Sequence, residues 1–138
     1  MPSSLRLLII FMVTSVAVAA ASIVVLKEQD RAQARMVAEQ LTGGSVTTGK
    51  LAFQTDGCGA CHAVEAVAGA DGQVGPPLDT IATRAELAGH LANTPEAMRR
   101  WIQHPQQVAP GTGMPEMNIS DTQARDISAY LYTLRAEQ

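Results

Sequence analysis

The chain holds only two cysteines, and it spends both within one turn: Cys58-Gly59-Ala60-Cys61-His62. Few folds can use such a stretch. A redox-active C-x-x-C of the thioredoxin kind sits in a strand-helix-strand context, which the flanking sequence lacks. A structural zinc needs four ligands, and beyond this stretch only His90 and His104 remain as imidazoles. A disulfide closing one tight turn constrains little.

The reading that uses all three side chains is covalent attachment of a c-type haem. The two thiols, Cys58 and Cys61, add to the porphyrin vinyl groups and give two thioether links. Two intervening residues match the vinyl separation when the stretch begins a helical turn. His62 then directs its ring at the iron. Aromatic residues make up only 4% of the chain, which is lean for a domain of roughly 90 residues that must build its own core. A bound prosthetic group would fill its middle. The formal net charge of −3 argues against nucleic acid, which calls for a basic face.

From Leu7 to Leu26 no charged residue interrupts the chain, and only Thr14, Ser15 and Ser22 are polar. Such a run, as a helix, spans roughly 30 Å, the thickness of a bilayer's hydrocarbon core. A cleaved signal peptide is the competing reading, since small residues cluster around Ala17 to Ser22. The apolar run continues through Ile23, Val24, Val25 and Leu26, however, and this favours an anchor that stays in place. Arg6 precedes the run while Lys27, Arg31 and Arg35 follow it, so charge bias does not set the orientation.

The expected organisation is therefore an anchor over 1–26, a juxtamembrane helix or linker over 27–46, and a haem domain over 47–138. The segment after the anchor is rich in helix formers and ends at Gly43 and Gly44, with a flexible joint expected at 42–48. The remainder predicts an all-α fold. A short helix ends at Gly57. Another starts at Thr83, with Glu86 three residues on in a capping-box pattern. Thr94, Pro95 and Glu96 open a third, which stops at Pro105. The last is capped by Ser120 with Gln123 in the reciprocal position, and Ile127, Tyr130, Leu131 and Leu134 recur at helical spacing. No run alternates polar and apolar residues for long, so no substantial sheet is expected. Two long Gly- and Pro-rich loops, around "GPPL" and "PGTGMPEMN", are the segments where function should lie.

In order along the chain, these motifs make the part from about Thr47 onward resemble a class I cytochrome c. Gly49 and Phe53 match the family's Gly and aromatic on the first helix, which pack against the last helix, here Ala129-Tyr130-Leu131. The "GPPL" stretch resembles the family's loop in which a proline carbonyl accepts a hydrogen bond from the proximal histidine. That gives Pro76 this role toward His62, with Leu78 packing on the haem. The resemblance further implies that Arg84 lies near a haem propionate and that Trp101 donates to one. Without the resemblance, Arg84 is a solvated helix charge and Trp101 a core aromatic.

The "PGTGMPEMN" stretch is similar to the family's methionine loop, in which the sixth ligand precedes a proline. This selects Met114, with Met117 as its close competitor and His90 and His104 as remoter ones; Met98 is expected in the core. A neutral thioether favours ferrous iron and raises the reduction potential relative to a second histidine. The resemblance implies a monohaem electron carrier, not an enzyme, with no small-molecule substrate. Its haem is attached on the outer face of a bacterial cytoplasmic membrane, so the domain is expected on the periplasmic side. Its expected partners are redox proteins: a quinol-oxidising complex or dehydrogenase, and a haem-copper terminal oxidase. The alternative is a haem enzyme or gas-binding sensor with an open axial position, which requires that Met114 not ligate.

Overall fold

A computed structural model describes residues 2–135. The chain divides into two units, residues 1–33 and 34–138. The first is the bulk of helix α1 (Ser3–Thr42), whose apolar side chains are exposed along its length. Its most apolar window has a mean hydropathy of 2.7, and the helix is long and apolar enough to cross a membrane. Lys27 to Thr42 continue the same helix without a break.

The second unit begins with the last turns of α1. Ala34 and Ala38 are buried there, and Glu39 Oε1 accepts the backbone N–H of Val46 at 3.0 Å. Gly43 ends α1 in the left-handed region at φ 66°. Within the joint expected at 42–48, only residues 43–45 lie between α1 and the next helix, and they are hydrogen-bonded. Ser45 donates its N–H to Asp126 Oδ1 at 2.7 Å, and a Cβ on Gly44 would lie 2.3 Å from the carbonyl oxygen of Arg125. Small residues here permit close approach, and the buried Asp126 carboxylate holds the turn in place.

Helix α2 (Val46–Thr55) is capped by the Ser45 side chain, which accepts from the Thr48 N–H. It crosses α5 (Asp121–Leu131) at Gly49, with the rings of Phe53 and Tyr130 5.6 Å apart and edge to face. An aromatic pair of this geometry is worth about 0.5–1.5 kcal/mol beyond the area it buries. Helix α5 opens with the full reciprocal cap: the Gln123 N–H donates to Ser120 Oγ, and the Ser120 N–H donates to Gln123 Oε1. Helix α3 (Pro95–Gln103) starts at Thr94, whose Oγ1 accepts the Ala97 N–H. Its buried Met98 and Ile102 join Phe53, Ile127, Tyr130 and Leu131 in one core. A short helix α4 (Pro105–Val108) follows at once, begun by the buried Pro105.

The described residues are mostly helical, as expected, with two small two-stranded sheets. The helix predicted from Thr83 does not form. Residues 81–83 make a single 3₁₀ turn, and β3 (Glu86–Leu87) and β4 (Leu91–Ala92) form a small antiparallel hairpin. Ala88 and Gly89 both take positive φ, 52° and 71°, the hairpin-turn geometry that a helix cannot accommodate. Thr83 Oγ1 donates to the Thr80 carbonyl rather than capping a helix. Asn93 closes the segment: its Nδ2 donates to the carbonyls of Ile81 and Arg84, each at 2.8 Å.

Candidate functional site

Gly57, at φ 77°, turns the chain out of α2 and into a 3₁₀ turn over Cys58–Ala60. The Cys61 N–H closes that turn on the Cys58 carbonyl. The two thiols are half-buried and unpaired. Burial, reinforced by the Asp56 carboxylate, pushes the Cys58 thiol up to about 11. A dithiol redox centre works through a depressed thiol. This environment does the reverse.

Strand β1 (His62–Ala63) pairs antiparallel with β2 (Asp71–Gln73), and the loop beyond folds back over the cysteine turn. The Gly75 N–H donates to the Cys61 carbonyl at 2.8 Å, and the Leu78 N–H to Ala63 at 2.9 Å. Glycines allow this closeness. A Cβ on Gly72 would lie 2.4 Å from the Ala60 carbonyl oxygen, and one on Gly75 would lie 2.3 Å from the His62 ring.

The loop thereby places the Pro76 carbonyl oxygen 2.8 Å from His62 Nδ1. A carbonyl can only accept, so Nδ1 is the donor, and in the neutral ring the lone pair lies on Nε2. That is the tautomer a metal-binding imidazole needs, with its outward nitrogen tied to a backbone oxygen. Arg84 also donates to this loop, through the Pro77 carbonyl. Leu78, in the same loop, is buried.

The other expected residues come from the second half of the domain. Trp101 is half-buried on α3. Met114 is half-buried in the irregular segment between α4 and α5. Met117 packs against the core, and Met98 is inside it. His90 is exposed in the β3–β4 turn. His104 is exposed at the end of α3, its Nδ1 3.8 Å from Glu116 Oε2.

Among the described residues no three His, Cys, Asp or Glu side chains converge as a metal site. A single imidazole beside two free thiols suits a metal that arrives already held in a ring. The donor set, with Gly75 packed against the His62 ring and the Pro76 carbonyl on its Nδ1, fits a haem attached at Cys58 and Cys61.

Two polar residues that hold this region together have no sequence signature of a site. Gln106 makes its bonds to the Met114 loop, and Asn93 accepts the Tyr132 hydroxyl at 2.8 Å while holding Ile81 and Arg84. The only hint for Gln106 is its place just behind Pro105 and four residues before the Pro110-Gly111 turn.

Comparison with known proteins converges on the same part of the chain. The family profile for cytochrome c matches residues 46–135. The chain is 33% identical over 105 residues to a cytochrome c2 of Rhodopila globiformis, covering 67% of this chain and 95% of that one. It is 31% identical over 98 residues to a cytochrome c oxidase subunit 2 of Alkalihalophilus pseudofirmus, covering 70% of this chain. The match spans only 28% of that subunit's length. No solved structure matches the chain significantly.

Proposed function

Because the chain belongs to the cytochrome c family, we propose that it is a membrane-tethered monohaem electron carrier. It passes single electrons between respiratory or photosynthetic complexes and delivers them to a haem-copper terminal oxidase. The observation that carries this reading is the His62 ring, fixed through Nδ1 to the Pro76 carbonyl and leaving Nε2 available beside two unpaired cysteines.

Bound there, a haem supplies an iron that takes up and gives back one electron. The chain's own residues do the rest. Cys58 and Cys61 would hold the porphyrin covalently, and His62 would ligate the iron with its basicity raised by Pro76. Met114 would supply the second ligand to the iron. In support, its neighbour Met117 packs against the core while Met114 does not belong to that cluster. A soft, neutral sulfur favours the reduced iron and so raises the potential. Leu78 would pack on the haem, and Trp101 and Arg84 would meet its propionates.

Helix α1 is the tether, with residues 1–26 in the bacterial cytoplasmic membrane, 27–46 as the connection and 47–138 as the haem domain on the periplasmic face. Tethering raises the effective concentration of the carrier for complexes in the same membrane. The oxidase partner is supported by the relative that is itself named an oxidase subunit.

Reduction kinetics in native membranes test the proposal. The haem should be reduced when quinol or dehydrogenase substrate is added and reoxidised when oxygen is admitted. A terminal oxidase should copurify from mildly solubilised membranes, in fixed ratio if the chain is a subunit. A haem that stays outside the respiratory redox cycle, or that binds carbon monoxide rapidly when reduced, would overturn the proposal in favour of an open-site haem protein.

A further inference from the structure

The segment from Ala109 to Ile119 has no regular secondary structure, yet it must present one particular methionine. Beside the backbone bond from the Thr112 N–H to the Ala109 carbonyl, the side chain of one residue makes three bonds to its turn. Gln106 Nε2 donates to the carbonyls of Thr112 and Met114, each at 2.8 Å, and its Oε1 accepts the Gly111 N–H at 3.1 Å. A carboxamide offers two N–H donors and one acceptor oxygen. Here both carbonyls flanking Gly113 and the amide of Gly111 are satisfied by one group. The backbone N–H of Gln106 donates in turn to Glu116 Oε1 at 3.1 Å, so the same residue grips the loop on both sides of Met114. Its own position is firm, because α4 starts at the buried Pro105.

We propose that Gln106 is the positioning residue that sets the shape of the Met114 loop, and through it the hold of Met114 on an iron ligated by His62. The inference rests on the reading of Met114 as the second axial ligand. A neutral thioether is a weak ligand, and its bond depends on how firmly the protein presents it. Gln107, the next residue, is exposed and takes no part in the loop's hydrogen bonds.

The test uses the full-length holoprotein carrying Gln106→Leu, which removes every side-chain bond, and Gln106→Glu, which keeps an acceptor for Gly111 but turns oxygen toward the two carbonyls. Met114→Ala is the reference. Haem content and far-ultraviolet circular dichroism report folding. The readouts are the weak long-wavelength band that marks sulfur–iron bonding in the oxidised family, the reduction potential, and carbon monoxide binding to the reduced form. In folded, haem-loaded Gln106 variants the band should weaken or vanish and the potential should fall. Carbon monoxide binding should quicken about tenfold or more, the scale expected from losing one or two loop hydrogen bonds.

If Met114→Ala changes the spectrum and both Gln106 variants keep the wild-type band and potential, the proposal fails while the ligand reading stands. A lowered melting temperature with band and potential intact makes Gln106 an ordinary loop stabiliser, and also overturns it. If Met114→Ala itself leaves the band in place, the ligand reading fails and takes the proposal with it. Should the leucine variant not fold, the glutamate variant alone decides between these results.

Discussion

A Cβ placed on Gly49 would lie 1.7 Å from the carbonyl oxygen of Asp126, so helices α2 and α5 meet backbone to backbone. The obstacle is main chain and cannot swing aside. Replacing Gly by Ala in a helix normally gains up to about 1 kcal/mol from propensity. Overpacking costs about 1–3 kcal/mol even where side chains can adjust. The clash should win, and Gly49→Ala should lower unfolding stability by about 2 kcal/mol or more, measured by denaturant titration of the holoprotein. Unchanged stability would mean that the two helices separate at no cost.

The His62–Pro76 link can be attacked from Gly75. A methyl group there would lie 2.3 Å from Cε1 and 2.6 Å from Nδ1 of the imidazole, so Gly75→Ala should push the ring off its carbonyl partner. Loss of that bond makes the imidazole less basic toward iron. A less basic ligand stabilises ferric iron less. The variant's reduction potential should therefore rise, with some loss of haem loading. A wild-type potential in equilibrium redox titration would contradict the role given to Pro76.

Tyr132 donates its hydroxyl to Asn93, which in turn holds the carbonyls of Ile81 and Arg84. Burial, with a contribution from Glu96, pushes the Tyr132 phenol up to about 12. The folded state thus keeps a proton that the unfolded chain releases near pH 10. Its stabilising contribution is complete below about pH 10 and is lost as pH rises toward 12. Tyr132→Phe should cost about 1 kcal/mol at neutral pH, from the unpaired Asn93 oxygen. It should also make the alkaline fall in stability shallower. Tyr130, raised to about 12 by burial and then by Asp79, supplies the fall that remains. An alkaline limb equally steep in both proteins would sink this assignment.

Cys58→Ser and Cys61→Ser each remove one point of attachment. Each should impair or abolish accumulation of the haem-loaded chain, read by haem-stained gels against total exported protein. Wild-type loading in both variants would show that neither thiol is consumed.

How far the chain announced this arrangement differs by element. Thr94-Pro95-Glu96 and Ser120 with Gln123 were legible because local side chains satisfy the free N–H groups of a helix start, and the structure forms both caps. The Gly49, Phe53 and Tyr130 crossing was legible through its resemblance to a known pattern. Thr83 and Glu86 have the spacing of a cap as well, yet Ala88 and Gly89 reverse the chain and the hairpin prevails. Two residues with positive φ outweigh one side-chain bond. The bond that holds the 43–45 turn has no local signal, because the Asp126 carboxylate that accepts the Ser45 N–H is 81 residues away. Gln106 escaped notice because glutamine is common on any surface, and its importance lies in three partners that only the folded loop brings within reach.

Iron-edge X-ray absorption on the oxidised full-length holoprotein tests the central claim most directly, because it counts the atoms bonded to the metal. With His62 and Met114 as axial ligands, the first shell must contain a sulfur scatterer alongside nitrogen, and that sulfur must disappear in Met114→Ala. A first shell of nitrogen and oxygen alone in the unmodified protein would contradict it.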